Sequence, residues 1–332
     1  MKKIKKLLVT GCNGFIGRNF LNAIDFSKFK VLNLDCLSYA SDSTAHLYYR
    51  KIKFIKCNTA NYKKLNEIFI SFKPDIVINF AAHSHVDKSI SDSSLFLQNI
   101  IGTQNLLECS LEIQKKKPIK FLQISTDEVF GSKKTGSFNS NSCYNPSSPY
   151  SASKASSDFM VKSFNKTYKL PTMITYSCNN YGPFQNPEKL IPLTIFKLLN
   201  KKKMGIYGSG KQSRQWIHVE DNVDAIIKLI DKKFDGKTYC IGSNYEINNL
   251  GLVKKIVETY FRLINRKYKS YNDHIEFVED RKGHDFRYFI STTELKKKII
   301  WKQKYSLDYG IEQTVKWYLS NTDWINRQVK KL

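Results

Sequence analysis

Tyr150 and Lys154 are spaced one helical turn apart, and Thr126-Asp127-Glu128 lies about 22 residues before the tyrosine. At this spacing the tyrosine and lysine side chains share a helix face. A lysine ammonium beside a phenol favours the phenolate, which makes tyrosine a base near neutral pH. Two adjacent carboxyl groups offer an acid and a base. A hydride transfer needs the first pair and an elimination needs the second, so one short stretch holds parts for both. Taken alone, Asp127-Glu128 reads as a solvated turn at a strand end. The tyrosine–lysine pair at this distance shifts the reading towards chemistry.

The elements that must position these groups follow from apolar periodicity. Residues 7–10, 31–34, 52–55, 76–80, 121–125 and 172–176 read as strands, with helical patterns between them near 14–24, 62–72 and 94–111. This alternation predicts a parallel sheet covered on both faces, and right-handed crossovers make it a doubly wound α/β fold of the Rossmann type. Gly11-x-x-Gly14-x-x-Gly17 follows the first strand and opens a helix, as a pyrophosphate-binding turn does. Asp35 ends the second strand, where a carboxylate accepts hydrogen bonds from a ribose and repels a 2′-phosphate, which favours NAD over NADP. Small Ala81 and Ala82, after Phe80, would let the backbone pass close to a cofactor, although they serve equally well as core packing.

The second half is less regular. Residues 179–189 are rich in Asn and Pro, residues 205–210 are turn-like, and residues 280–287 form a basic turn. We place these loops over the carboxyl edge of the sheet, where open α/β folds bind ligands. The expected division is a cofactor domain over 1–178 with return segments near 212–245, and a smaller discontinuous substrate domain over 179–211 and 246–332.

The 332 residues are 41% hydrophobic and 25% charged, which excludes wholesale disorder. No apolar run is long enough for a membrane helix, and the basic start gives way too soon to glycine for a signal peptide. The net charge of +25 invites a nucleic-acid reading. Its lysines, however, are dispersed among abundant Asn, Ile, Tyr and Phe, the bias of an AT-rich genome, so no nucleic-acid partner is expected. Lysine clusters near 115–117, 201–203 and 296–298 read as solvated helix ends or turns. Seven cysteines without C-x-x-C pairing argue for reduced thiols in the cytoplasm. The pair His83-x-His85 lacks further ligands at metal spacing, so no metal is expected.

Assembled, these residues resemble the extended short-chain dehydrogenase/reductases, and more narrowly the dTDP-glucose 4,6-dehydratases, over nearly the whole chain. The specific marks are Thr10-Gly11-Cys12-Asn13-Gly14-Phe15-Ile16-Gly17, Ser84-His85-Val86-Asp87-Lys88-Ser89, Thr126-Asp127-Glu128, Tyr150-x-x-x-Lys154, Asn179-Asn180-Tyr181-Gly182-Pro183, Pro187-Glu188-Lys189-Leu190 and Asp280-Arg281-Lys282-Gly283-His284-Asp285. The resemblance implies that Tyr150, helped by Lys154 and Thr126, takes the proton from the sugar O4 while C4 gives hydride to NAD. Glu128 then removes the C5 proton and Asp127 protonates the departing C6 hydroxyl. Hydride return to C6, with reprotonation of C5, leaves a 4-keto-6-deoxy sugar. Epimerases of the superfamily lack this carboxylate pair. Asp127 must keep its proton near pH 7, so burial and the charge of Glu128 should raise its pKa. Both carboxyls reach one sugar only if the strand ends before Asp127, because consecutive strand residues face opposite ways.

The resemblance also implies a cofactor set of Gly11, Asn13, Gly14, Phe15, Ile16, Gly17, Asp35, Cys36, Ser38, Asn58, Thr59, Phe80, Ala81, Ala82, Ser84, Gln98 and Asn180, with Tyr150 and Lys154. On the substrate side it implies Ser84, His85, Thr126, Asn179, Glu188, Lys189, Leu190, Gly205, Ile206, Tyr207, Arg214, Asn249, Arg281 and His284. The substrate would be a nucleoside-diphosphate-glucose, dTDP or UDP. A homodimer would form through a four-helix bundle of helices near 94–111 and 149–168. The chain departs from the family at Cys36 (usually Lys), Asn58-Thr59 (usually Asp-Ile), Gln98 (usually Thr), Phe130 (usually Tyr), Ser177-Cys178 (usually Cys-Ser) and Arg214-Gln215-Trp216 (usually Arg-Asp-Trp). None of these removes a catalytic group; the first three bear on the adenine side.

Overall fold

The structure, a computed structural model, describes residues 4–332. Its first half winds β1 (Lys5–Thr10), α1 (Phe15–Ala23), β2 (Phe29–Asp35), β3 (Lys53–Lys56), α2 (Tyr62–Phe72), β4 (Ile76–Asn79), α3 (Val86–Ser91), α4 (Leu97–Gln114), β5 (Lys120–Thr126), α5 (Pro149–Tyr168) and β6 (Thr172–Ser177). There follow β7 (Asn179–Tyr181), α6 (Leu190–Leu199), β8 (Met204–Tyr207), β9 (Ser213–His218), α7 (Val219–Ile230) and β10 (Thr238–Ile241). The chain ends with β11 (Glu246–Asn248), α8 (Asn249–Leu263), β12 (Ile275–Val278), α9 (Thr293–Lys298), α10 (Leu307–Ser320) and α11 (Thr322–Val329).

Among the described residues, seven strands form one parallel sheet in the order β10-β6-β5-β4-β1-β2-β3. Leu7, Leu8 and Val9 are buried without alternation, as befits a strand covered on both faces. The strand order reverses between β1 and β4, which opens the crevice where such folds bind ligands. Two small sheets, β11-β9-β7 and β12-β8, lie beyond it. The expected strands are present with ends moved by a residue or two. The helix expected over 94–111 begins as a 3₁₀ turn and becomes α4 only at Leu97. Two segments read as loops carry short strands, β7 within 179–189 and β8 running from Met204 into 205–210. Both pair only with partners distant in sequence, β7 with β9 and β8 with β12.

Two apolar cores follow. One fills the large sheet and its helices; the other joins Tyr181, Ile191, Ile195, Trp216, α8, α10 and Trp324. Ile290, Leu295, Ile299 and Trp301 were expected with the second unit, yet they pack into the first core. There the Trp301 indole donates to the Asp221 carbonyl (3.1 Å). Helix α5 starts on a reciprocal cap, Ser148 with Ser151, and on Pro149 at its first turn. That cap fixes the phase of the helix and so the directions of Tyr150 and Lys154.

Candidate active site

The glycine turn meets the sheet where β1 and β4 diverge. Gly11 has φ +72°, and a Cβ there would stand 2.7 Å from the Ala81 backbone. A Cβ on Gly17 would stand 2.6 Å from Cys12 Cα, so the glycine seats α1 against the turn. Asp35 accepts from the Leu37 N–H (2.8 Å), the Ser41 hydroxyl (3.0 Å) and the Asn13 N–H (3.0 Å). Oδ2 carries only the last of these, so it keeps a lone pair for a ribose hydroxyl. Asp35, Cys36, Ser38, Asn58, Thr59, Phe80, Ala81, Ala82 and Gln98 line one pocket with Gly11. Helix α1 begins at Gly14 without a side-chain cap, leaving its first N–H groups available to an anion. These features fit a dinucleotide.

A larger cleft opens from that pocket. Phe15, Ile16, Ser84, His85, Thr126, Asp127, Glu128, Tyr150, Asn179, Asn180, Glu188, Lys189, Leu190, Gly205, Ile206, Tyr207, Arg214, Asn249, Arg281 and His284 all line it. Strand β5 ends at Thr126, and Asp127–Phe130 form a 3₁₀ turn in which the Glu128 N–H donates to the Thr126 hydroxyl (3.3 Å). The turn therefore carries both carboxyls into one cleft. Asp127 is 1% exposed and its Oδ2 has no hydrogen-bond partner. Burial first, then the Glu128 charge, lifts its pKa to about 8, against the pull of Arg214. Burial also raises Glu128, but Lys189, Arg214 and Arg281 oppose it. One carboxyl is thus held as an acid while its neighbour faces three cations that favour the anion.

Tyr150 and Lys154 are both buried on α5. The Lys154 ammonium donates to the Ile124 carbonyl (2.7 Å), and its only charged counterweight is Asp158. Burial and the Glu128 charge push the Tyr150 phenol up, and only a hydrogen bond with Thr126 draws it down. An ammonium has three donors, so the Ile124 contact leaves two of them unassigned.

On the nucleotide side, Arg281 reaches Asp87 through Nε (2.5 Å) and Nη2 (3.1 Å). Arg214 lies 4.4 Å over the Tyr288 ring and donates to the Asp285 carbonyl (2.8 Å). Lys189 donates to the Ser84 carbonyl (2.8 Å). His85 caps α3 through Nδ1, leaving Nε2 3.7 Å from Glu188. His284 pairs with Asp280 (2.7 Å). Arg281, Arg214 and Lys189 are therefore each held by protein groups where they line the cleft.

A family model described as GDP-mannose 4,6 dehydratase matches residues 8–314. The chain is 41% identical to the dTDP-glucose 4,6-dehydratase of Haemophilus influenzae, covering 95% of this chain and 98% of that one. It is 39% identical to the enzyme of that name from Shigella flexneri, over 96% and 94%. A crystal structure of dTDP-glucose 4,6-dehydratase from Streptomyces venezuelae, with NAD bound, superposes with a TM-score of 0.90 at 33% identity, over 97% and 99%. The chain belongs to the dTDP-glucose 4,6-dehydratase family.

Several residues expected in a dehydratase site stand elsewhere. The Asn13 side chain turns inward, donating to the Asp42 carbonyl (2.9 Å) and accepting from Asn33 (2.9 Å), so only its backbone faces the turn. Lys154 is not among the residues that line the cleft. His83 lines the cofactor pocket and His85 the substrate cleft, so they form no pair. Among the described residues no cluster is arranged to hold a metal ion. At the adenine side, Asn58 replaces the family Asp and donates to Gln98 (3.0 Å), itself a departure; the two substitutions have found each other. Missed were Asp87, which orients Arg281, and Tyr288, which carries Arg214. Asp87 sits inside a quoted motif; Tyr288 gave no signal, since its partner is distant in sequence.

Proposed function

We propose that this protein dehydrates dTDP-glucose to the 4-keto-6-deoxy sugar nucleotide, with NAD regenerated in place. The observation that carries the reading is the Asp127 carboxyl, held protonated by burial beside a Glu128 that faces Lys189, Arg214 and Arg281. Bound NAD supplies the hydride acceptor at sugar C4 and the donor to C6, and the positive charge of its oxidised ring favours the Tyr150 phenolate. Tyr150, hydrogen-bonded with Thr126, takes the O4 proton. The ketone at C4 acidifies C5, and Glu128 removes that proton. Asp127 gives its proton to the C6 hydroxyl, which leaves as water, and the hydride return to C6 is matched by reprotonation of C5. Arg281, Arg214 and Lys189 supply the cationic wall for the diphosphate, where guanidinium forks match paired oxygens.

The cofactor set Gly11 to Gly17, Asp35, Cys36, Ser38, Asn58, Thr59, Phe80 to Ala82 and Gln98 belongs to this reading, as does Asn180, whose buried Oδ1 has no partner. So does a homodimer through α4 and α5, supported by exposed Leu97, Ile101 and Phe159 on those helices. A cytoplasmic enzyme fits the free thiols, and among the described residues no helix is long and apolar enough to cross a membrane. Incubation with dTDP-glucose and UDP-glucose in parallel tests the function. Formation of the 4-keto-6-deoxy product from dTDP-glucose is expected; product from UDP-glucose alone would reassign the base, and product from neither would refute the reading.

A further inference from the structure

The segment joining β2 to β3 forms one wall of the cofactor pocket through Ser38, Ala40 and Ser41. Its neighbours come from the opposite end of the chain. The Trp324 indole on α11 donates to Asp42 Oδ2 (2.9 Å), and Lys331 donates to the Ser41 carbonyl (2.9 Å). The same Asp42 oxygen accepts from Arg18 Nη1 (2.5 Å), while Oδ1 takes the Thr44 N–H (3.0 Å) and hydroxyl (2.8 Å). Arg18 in turn lies 3.7 Å over the Phe184 ring, and that ring packs edge-on against Trp324. Asp42 also exchanges two hydrogen bonds with Asn13 in the glycine turn, N–H to carbonyl and side-chain amide to carbonyl.

This cluster is placed to act on the cofactor at one remove. Ser41, held from outside by Lys331, donates from its hydroxyl to Asp35 (3.0 Å), the residue read as the ribose acceptor. Arg18, Asp42 and Trp324 do not line the cofactor pocket. The side chains of Arg18 and Asp42 are each 8% exposed, so their charges meet with little screening and losing one strands the other. Loops of this kind are otherwise the most mobile parts of a fold.

We propose that α11 is a latch on the cofactor pocket: through Trp324, Asp42 and Arg18 it holds the 38–44 segment against the glycine turn, so retention of the dinucleotide depends on the C-terminal helix. The inference rests on the NAD reading above. It makes Trp324 and Asp42 positioning residues, and it couples the cofactor pocket to the unit that carries the sugar nucleotide.

The test compares the wild-type protein with Trp324→Phe, Asp42→Asn and Lys331→Met. For each, NAD carried through purification is quantified after release. Stripped protein is titrated with NAD by calorimetry, and melting is followed without cofactor. Trp324→Phe and Asp42→Asn are expected to weaken NAD binding about tenfold, as loss of a hydrogen bond to a charged group does. Lys331→Met should weaken it about two- to threefold, the smaller loss of an exposed contact. Turnover at saturating NAD should stay within about twofold of wild type. Wild-type affinity in the variants, even with lowered melting, would make the cluster a structural staple and overturn the latch alone. Absence of NAD binding by the wild-type protein would overturn both the latch and the reading beneath it. Should Trp324→Phe or Asp42→Asn fail to fold, Lys331→Met decides, because it leaves Trp324, Asp42 and Arg18 intact; unchanged affinity there rejects the proposal.

Discussion

The pocket proposed for the cofactor takes its floor from four neighbouring strand ends, at Gly11, Asp35, Cys57 and Phe80, all in the first 80 residues. The cleft proposed for the sugar nucleotide collects β5, α5, β7, β8, β9, the start of α8 and the turn at 281–288. The first surface is a consequence of parallel pairing: once β1, β2, β3 and β4 are aligned, their carboxyl ends must form a rim. The second exists only because two cores dock, and its cations are aimed by partners far away in sequence. Arg281 and Asp87, for example, are 194 residues apart. Damage at the rim should therefore appear as backbone strain and weaker NAD binding, and damage in the cleft as lost chemistry or raised KM.

The largest effect is expected at Glu128. Glu128→Gln should lower dehydration by about 10²–10⁴-fold, the usual worth of a general base, while oxidation at C4 continues. Rapid-mixing absorbance would show reduced nicotinamide accumulating without 4-keto-6-deoxy product; retained product formation would remove Glu128 from the mechanism. At the rim, Gly11→Ala should cost about 1–3 kcal/mol of stability from its positive φ alone, more with the Ala81 contact. Urea unfolding with and without NAD measures it, and an unperturbed midpoint would contradict the close approach described.

In the cleft, Arg281→Ala should raise the KM for the nucleotide sugar about tenfold or more with a smaller change in kcat, since a bidentate charge-assisted contact is lost. A fall in kcat at constant KM would move Arg281 from binding to chemistry. Asp127 predicts the alkaline side of the pH profile. Its pKa is raised to about 8, so the protonated acid is present below that value and elimination is lost as pH rises through it. The raised Glu128 pKa places the acid limb above the ordinary glutamate range. Asp127→Asn should abolish the alkaline limb; its survival would assign that limb to another group. The smallest effect is at Cys36. Cys36→Lys restores the family residue at an exposed edge and should change NAD affinity by less than about threefold, because a solvated charge contributes little.

Much of the rim was legible because its signals are local. A glycine triplet after a strand, an acid at the next strand end and small residues after the fourth all report backbone geometry within a few positions. Strand termination before Asp127, and the raised pKa that follows, were legible for the same reason: alternation forces a turn if both carboxyls serve one site. The Lys154 contact was not legible. Helical phase gives a side chain's face, but that the Ile124 carbonyl takes one of the ammonium's donors depends on how α5 packs on β5. Residues 290–301 joined the first core for a comparable reason. Their apolar pattern calls for burial somewhere, and only packing selects where.

By itself the sequence determined the winding of the sheet, the glycine turn, the carboxylate pair and the helix carrying Tyr150, since hydrophobic period, glycine and capping residues act over a turn or a strand. Tertiary structure alone decided that Asp87 aims Arg281, that Tyr288 supports Arg214, that Asn13 turns inward and that Trp324 reaches Asp42 across 282 residues. Those pairs depend on how two cores settle against each other, and a hydrogen bond's partner is chosen by the desolvation cost of every alternative in the folded chain.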